Sequence, residues 1–220
     1  MASNSSDARK KRAGKISDAL KRLYPNAKIE LNYSNDWELL VAVILSAQCT
    51  DKKVNEVTAK LFKKYKTLYD YVRANPKEFE KDIRPTGFYR AKTKNILSSA
   101  KMLKEKFKSK VPTTMKEMLM LPGVARKTAN VVLGNAYGVV EGIAIDTHMG
   151  RLAQKLGLTD QEDPNKIEQD LMKLFPKKDW FPITYRLIHY GRYVCPRRKH
   201  PNCKNHPLSK IYPPAAFRWP

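Results

Sequence analysis

The sequence is poor in cysteine and contains no long apolar segment. Three cysteines in 220 residues cannot form the disulfide framework that supports many small secreted domains. No apolar run is long enough to cross a membrane, and no hydrophobic region typical of a secretory signal is visible. We therefore expect a soluble intracellular protein, in the cytoplasm or nucleoid, or in the nucleus if the source is eukaryotic.

Acidic residues are also scarce. The chain has 21 Asp and Glu against 43 Lys and Arg, which gives a formal net charge of +22. This excess predicts a polyanionic partner whose affinity falls as salt rises, although a basic protein of the membrane surface is a competing interpretation. The hydrophobic fraction of 42% supports a folded core, and the length allows one large or two small domains.

Alternating strand patterns and internal repeats are absent, and apolar residues recur at helical spacing instead. We therefore predict an all-α fold. Residues 37–47 are apolar nearly all round, which is typical of a helix in the middle of a bundle. Asp51 is expected to cap the basic amphipathic helix that follows. Residues 1–15 are polar and strongly basic, and we expect them to form a disordered arm that can contact DNA.

The stretch from Met115 to Arg151 predicts a helix, a tight hairpin and a second helix. Thr114 begins the first helix with a capping box, and Pro122-Gly123 ends it. The second helix restarts near Ala125 and ends at Gly138. Such a hairpin leaves backbone N–H groups unpaired at the start of the second helix, where a phosphate can accept from them.

A lysine and an aspartate frame the second helix. Lys127 lies in its first turn, and Asp146 follows nineteen residues later. Most lysines at such positions are solvated charges. Most aspartates placed like Asp146, directly before a helix, are N-caps. Spacing alone therefore leaves both a structural and a functional interpretation open.

Four segments together resemble the endonuclease III branch of the helix-hairpin-helix DNA glycosylases. They are residues 38–51 (ELLVAVILSAQCTD), 83–92 (IRPTGFYRAK), 121–133 (LPGVARKTANVVL) and 144–158 (AIDTHMGRLAQKLGL). The resemblance runs from about Ile16 to Cys195 in the family's order. It implies an all-α, two-domain fold with the active-site cleft between the domains. Residues 31–140 would form a helical bundle with the hairpin, and residues 16–30 and 141–220 a second domain.

The resemblance also implies site residues and a reaction. Lys127 would be the nucleophile and Asp146 the essential carboxylate of a base-excision enzyme. The residues expected to contact DNA are Gln48, Phe88, Gly123, Val124, Ala125, Thr128 and His148. Among these, Phe88 would be a wedge and Gln48 would fill the gap left by an extruded nucleotide. From the sequence alone, Phe88 is equally compatible with a core position, and Gln48 with hydrogen bonding to its own loop.

Two features depart from the family. Ala125 stands where the family usually repeats glycine, which is acceptable only if its dihedral angles are helical or extended. The tail offers Cys195, Cys203, His206 and Tyr212 near the places where many members have four cysteines for a [4Fe–4S] cluster. We therefore expect no cluster and no metal, with prolines and aromatic residues packing the tail. A zinc site of Cys195, Cys203 and His206, completed by His200 or His189, is the alternative.

The leading hypothesis is a bifunctional DNA glycosylase and abasic-site lyase that acts on oxidised pyrimidines. Its expected partner is double-stranded DNA with damaged bases or abasic sites, bound by a monomer and with no membrane involved. One alternative is a monofunctional, mismatch-specific glycosylase of the same superfamily, whose members generally lack a lysine at the position of Lys127. A non-catalytic helix-hairpin-helix module that binds DNA is another, although such a module would not need both Lys127 and Asp146.

Overall fold

The structure is a computed structural model that describes residues 2–196 and 206–216, with side chains from Ser6 onward. In this part of the chain every regular element is a helix and no strand is present, so the all-α prediction is confirmed. None of the described helices is long and apolar enough to span a membrane. The chain divides into two compact units, one formed by Met1–Ile29 with Gly142–Pro220 and the other by Glu30–Glu141.

The unit Glu30–Glu141, called here the hairpin unit, contains seven α-helices in its described residues. They are α2 (Asp36–Leu45), α3 (Asp51–Lys64), α4 (Leu68–Arg73), α5 (Pro76–Ile83), α6 (Tyr89–Lys106), α7 (Met115–Met118) and α8 (Arg126–Tyr137). A short 3-10 helix, Arg84–Thr86, connects α5 to the turn before α6. The most buried helix is α2, which packs against α8, α3 and α6 because it is apolar on all sides.

Side-chain caps set the starts of several helices in this unit. Asn35 accepts a hydrogen bond from the Glu38 amide at 2.8 Å and begins α2. Helix α3 is capped by Thr50, whose hydroxyl accepts from the Lys53 amide at 3.3 Å, so the prediction that Asp51 is the cap was wrong by one residue. Asp51 is instead the first residue inside the helix, where a carboxylate also favours the positive end of the helix dipole.

The other unit, called here the terminal unit, combines an early segment of the chain with a late one. Its helices are α1 (Ala2–Leu23), α9 (Thr147–Lys155), α10 (Pro164–Leu174) and α11 (Lys177–Tyr193), followed by 3-10 helices at Pro207–Lys210 and Pro213–Ala216. Ile16 and Leu20 of α1 are fully buried among apolar residues of α9, α10 and α11. The core of this unit therefore depends on a helix from the first residues of the chain.

The expectation of a disordered arm at residues 1–15 was wrong. Helix α1 begins at Ala2 and includes residues 2–15 of this stretch. Arg12 donates to the carbonyl oxygens of Leu156 and Gly157, at 3.2 and 2.6 Å, and Ala13 is fully buried. These contacts with distant parts of the chain order a segment whose composition alone resembles that of an unfolded arm.

Candidate active site and DNA-contacting loops

The hairpin between α7 and α8 has a backbone conformation that requires glycine at one position. Gly123 has a φ of +76°, in the left-handed region. A Cβ added to Gly123 would lie 2.5 Å from the side-chain nitrogen of Asn95 on α6. The Ser99 hydroxyl, on the same helix, donates to the Pro122 carbonyl at 3.0 Å. Helix α6 therefore supports the hairpin through a close contact and a hydrogen bond.

Ala125 has φ of −90° and ψ of 171°, an extended conformation that alanine adopts without strain. The condition under which the hairpin tolerates alanine at this position is therefore met. Ala125 is the N-cap of α8, and no side chain makes a capping hydrogen bond to this helix. The amides of Lys127 and Thr128, which a capping side chain normally serves, are therefore positioned for an external acceptor. Val124, which lies between Gly123 and Ala125, is buried and anchors the hairpin.

Lys127 is the second residue of α8 and its side chain is exposed. The opposite side of the helix carries Ala129, Val132 and Leu133, which are fully buried. This apolar side fixes the helix in the hairpin unit and holds Lys127 on the outer side. Gly138 ends α8 in the left-handed conformation, as the sequence predicts.

Asp146 belongs to the terminal unit, where it follows the buried residues Ile143, Ala144 and Ile145. It is the N-cap of α9, and its Oδ1 accepts a hydrogen bond from the Met149 amide at 2.8 Å. The capping interpretation of Asp146 is therefore confirmed. The hydrogen bond to Oδ1 fixes the orientation of the carboxylate, and no described group donates to Oδ2.

His148 lies in the first turn of α9, half-buried against Gly191 of α11. Burial lowers the pKa of His148 below its ordinary value, and the cationic Arg192 and Arg151 act in the same direction. Asp146 opposes this shift in the pKa, because its negative charge favours the imidazolium. The ring next to Asp146 is therefore biased toward the neutral form.

Gln48 and Phe88 are exposed residues of the hairpin unit with left-handed backbones. Gln48 follows the end of α2 and has a φ of 53°, and it makes no side-chain hydrogen bond to any described residue. Phe88 precedes α6 with φ of 46° and ψ of 28°, and 65% of its surface is exposed. The core interpretation of Phe88 and the loop-bonding interpretation of Gln48 are therefore wrong. A strained, exposed aromatic residue at a loop tip is more typical of a functional contact.

One residue near these loops was missed by the sequence argument. Lys92, in the first turn of α6, is only 4% exposed, and its Nζ donates to the carbonyl oxygens of Leu45 and Thr86 at 2.8 Å each. Its spacing from the buried residues Ile96, Ala100 and Leu103 is helical, which places it on the inward side of α6. That helical spacing is the feature of the sequence from which the burial of Lys92 could have been predicted.

The tail residues that stand where family members have cysteines are engaged in other contacts. Cys195 is 1% exposed and its Sγ lies 3.7 Å from the Arg151 guanidinium. Tyr190 Oη is hydrogen bonded to His206 Nδ1 at 2.6 Å, and the Arg12 guanidinium lies 4.0 Å from the centroid of the Tyr212 ring. These residues do not fit an iron–sulfur cluster, which takes four thiolates.

Metal ligation is also unsupported elsewhere in the described chain. No three His, Cys, Asp or Glu side chains at positions 6–196 and 206–216 are grouped so as to hold a metal ion. Cys203 and His200, which the zinc alternative uses, lie outside the described residues, as do Phe217 and Trp219 of the expected tail packing. The zinc alternative therefore stays untested.

Comparisons with known proteins match most of the chain. Residues 41–177 match the family described as HhH-GPD superfamily base excision DNA repair protein. An endonuclease III of Synechocystis sp. is 48% identical over 208 residues, covering 94% of each chain. Two solved structures, a non-covalent endonuclease III–DNA complex and a trapped endonuclease III–DNA covalent intermediate, are each 42% identical with a TM-score of 0.89. They cover 95% of this chain and 97% and 98% of their own. The chain therefore belongs to the HhH-GPD superfamily of base excision DNA repair proteins.

Proposed function

We propose that this chain is a bifunctional DNA glycosylase and abasic-site lyase, with Lys127 as nucleophile and Asp146 as essential carboxylate. The observation that carries the proposal is the match, over nearly the whole chain, to an endonuclease III trapped in a covalent intermediate with DNA. A covalent intermediate requires a nucleophile. Lys127 supplies an exposed amine at the start of the hairpin helix, within a segment that resembles the family's motif.

The hairpin is suited to hold the DNA backbone near Lys127. The first turn of α8 lacks a capping side chain, and its amides and the helix dipole both favour a phosphate. The net charge of +22 adds attraction that does not depend on base sequence. Together these features position the sugar–phosphate chain without selecting a sequence, as a repair enzyme that searches long DNA requires.

The reaction begins with extrusion of a damaged nucleotide, because a base within the duplex cannot be reached. The neutral Lys127 amine attacks C1′, and the bond from C1′ to the base breaks with the electron pair leaving on the base. The sugar ring then opens as the nitrogen lone pair forms an imine and O4′ takes up a proton. Loss of a C2′ proton expels the 3′ phosphate and nicks the strand, and hydrolysis of the imine restores the amine.

Asp146 supports this sequence through the oxygen that its capping role leaves unused. Oδ1 is fixed by the Met149 amide, so the direction of the carboxylate is set before substrate binds. Oδ2 can accept the proton that the amine or sugar releases, and its negative charge stabilises positive charge that develops on the sugar. The carboxylate thus serves as a helix cap and as a catalytic group at once.

Phe88 and Gln48 are the residues we assign to opening the duplex. Both are exposed and both have left-handed backbone angles that cost energy for residues other than glycine. Phe88 can enter the base stack as an apolar wedge, and Gln48 can fill the space of the extruded nucleotide with its amide. We also assign DNA contacts to the hairpin residues and to His148, and we assign oxidised pyrimidines as the substrate class.

The reaction written above needs no metal or redox group. We propose that this chain carries no iron–sulfur cluster, because His206 and Tyr212 have the contacts with Tyr190 and Arg12 described above. We place the enzyme with the cellular DNA, in the cytoplasm, the nucleoid or a nucleus.

Borohydride trapping tests the nucleophile. The protein is incubated with a duplex that carries one oxidised pyrimidine, and borohydride is added to reduce the imine. We expect a covalent protein–DNA adduct that Lys127→Ala abolishes, with Lys116→Ala, an exposed lysine of α7, as the matched control. Undiminished trapping in Lys127→Ala would refute the assignment. Base release without adduct or nicking would instead indicate a monofunctional glycosylase, and binding with neither activity a non-catalytic module.

A further inference from the structure

Three side chains on one side of α6 contact the three segments to which we assign DNA contacts. Lys92 binds the carbonyl of Leu45 at the end of α2 and that of Thr86 in the 3-10 helix. Asn95 lies against Gly123, and Ser99 binds the Pro122 carbonyl. Positions 92, 95 and 99 follow helical spacing and so share one side of the helix. The loops of Gln48 and Phe88 and the hairpin are therefore all contacted by the same side of α6.

Lys92 makes the most direct of these connections. Leu45 lies three residues before Gln48, and Thr86 lies two residues before Phe88. Because one ammonium group donates to both carbonyls, the two oxygens can be no further apart than the sum of the two hydrogen bonds. Lys92 thereby fixes the spacing between the roots of the two loops, independently of the side chains at their tips.

The burial of Lys92 is unfavourable by itself. Moving an ammonium group out of water costs free energy that hydrogen bonds to two neutral carbonyls offset only in part. Burial accordingly lowers the pKa of Lys92, although the nearby Cys49 opposes the shift. The two hydrogen bonds also have a structural consequence, because an apolar residue at this position would leave the Leu45 and Thr86 carbonyls without the donor that joins them.

We propose that Lys92 is a positioning residue that holds the Gln48 and Phe88 loops at the spacing needed for both side chains to enter the base stack together. This proposal rests on the insertion roles assigned above to Gln48 and Phe88. Both residues have left-handed backbones, at φ of 53° and 46°, and such angles persist only when the surrounding structure enforces them. Lys92 supplies this constraint at the base of each loop, and its burial separates its side chain from the surface that would contact DNA.

The variant Lys92→Met tests the proposal because it keeps the length of the side chain and removes its donors and charge. Extrusion is followed by the fluorescence of 2-aminopurine placed beside the lesion, together with single-turnover base excision from duplex DNA. We expect both rates to fall at least tenfold. Trapping at an abasic site in a single-stranded oligonucleotide, which has no stack to open, should stay within twofold of the unmodified protein. Lys101→Met, an exposed lysine of the same helix, is the control for lost charge.

A double-mutant comparison identifies the route by which Lys92 acts. If it acts through the inserting loop, Lys92→Met should slow extrusion much less in a Phe88→Ala background than in the unmodified protein. Lys92→Arg, which keeps charge and donors, should recover at least half of the lost extrusion rate. Should Lys92→Met fail to fold, Lys92→Gln, whose shorter amide cannot serve both carbonyls, takes its place with the same expectations.

The outcomes separate this proposal from the one on which it rests. Normal extrusion by Phe88→Ala and Gln48→Ala would refute the insertion roles and, with them, the task assigned to Lys92. Slow extrusion by those variants combined with a normal rate for folded Lys92→Met would overturn only the positioning role. Equal losses on duplex and single-stranded substrates, or full additivity with Phe88→Ala, would also overturn it, because a general structural defect predicts both.

Discussion

Asn95 occupies the space in which a side chain at Gly123 would lie. Its side-chain nitrogen, Cγ and Cβ are 2.5, 2.7 and 2.8 Å from the position of a Cβ on Gly123, whose φ of +76° already disfavours other residues. This packing explains why one hairpin position requires glycine, while Ala125, two residues later in an extended conformation, does not.

Separate substitutions at Gly123 and Ala125 test whether only the first position requires glycine. Gly123→Ala should lower the free energy of unfolding by about 2–4 kcal/mol, from the left-handed backbone and the collision with Asn95. It should also weaken binding to undamaged duplex DNA, because the hairpin amides would shift. Ala125→Gly should change stability by less than about 1 kcal/mol. Urea denaturation and a DNA-binding titration measure both effects, and equal losses for the two variants would contradict the structure.

Substitutions of Asp146 can separate its capping role from the catalytic role proposed for it. Asparagine is as good an N-cap as aspartate, so Asp146→Asn should keep the melting temperature while base excision falls by orders of magnitude. Asp146→Ala should lose activity and also about 1 kcal/mol of stability. Thermal melting and single-turnover excision distinguish these effects. Full activity in Asp146→Asn would show that the residue is only a cap.

Phe88 should show a trade-off between stability and function. Its left-handed backbone costs about 1–2 kcal/mol for a residue other than glycine, and its exposed ring recovers little of that cost. Phe88→Gly should therefore raise the free energy of unfolding by up to about 1 kcal/mol, after allowance for the greater entropy of glycine in the unfolded chain. Phe88→Ala should leave stability nearly unchanged, since alanine shares the backbone cost. Both variants should extrude a damaged nucleotide slowly.

Much of the hairpin could be predicted from sequence because local interactions define it. Thr114 accepts from the Glu117 amide, Gly138 ends α8, and Gly123 permits the turn, and each leaves a signature within a few residues. The exposure of Phe88 could not be predicted in this way, since an aromatic residue after a turn fits either a core or a surface. Whether its ring is buried or exposed depends on tertiary packing.

The missed features depend on contacts between distant parts of the sequence. Helix α1 is ordered by partners more than 140 residues away, such as the carbonyls that Arg12 reaches on Leu156 and Gly157. Lys92 contacts Leu45, 47 residues earlier, and most lysines in basic helices are solvated. Composition predicts a disordered arm where α1 forms and a solvated side chain for Lys92. It contains no information on which distant carbonyl groups these side chains will contact.

The lowered pKa of His148 predicts a dependence of stability on pH. Burial, Arg192 and Arg151 make the folded protein hold this proton more weakly than the unfolded chain does. As pH falls below about 6.5, the unfolded chain takes up the proton first, so the free energy of unfolding should decrease. His148→Gln should remove part of this decrease. Urea denaturation between pH 7 and pH 5 measures it, and identical slopes in both proteins would contradict the assignment.

The contact between Arg12 and Tyr212 leads to the last prediction, which concerns the tail. The guanidinium lies over the Tyr212 ring, and a cation–π pair of this kind stabilises by about 0.5–2 kcal/mol. Tyr212→Ala should lower the melting temperature, whereas Tyr212→Phe, which keeps the ring, should lower it much less. If the tail is held in this way, it needs no cluster.

Substituting the two cysteines of the tail, Cys195 and Cys203, tests the conclusion that the tail needs no cluster. Cys195→Ser combined with Cys203→Ser should stay folded and active, since Arg151 also donates to the Cys195 carbonyl, which the substitution retains. The unmodified protein should be colourless and should contain neither iron nor stoichiometric zinc by metal analysis. A brown preparation with four irons per chain would contradict the prediction, because the contacts of His206 and Tyr212 would then have to be broken to admit the cluster.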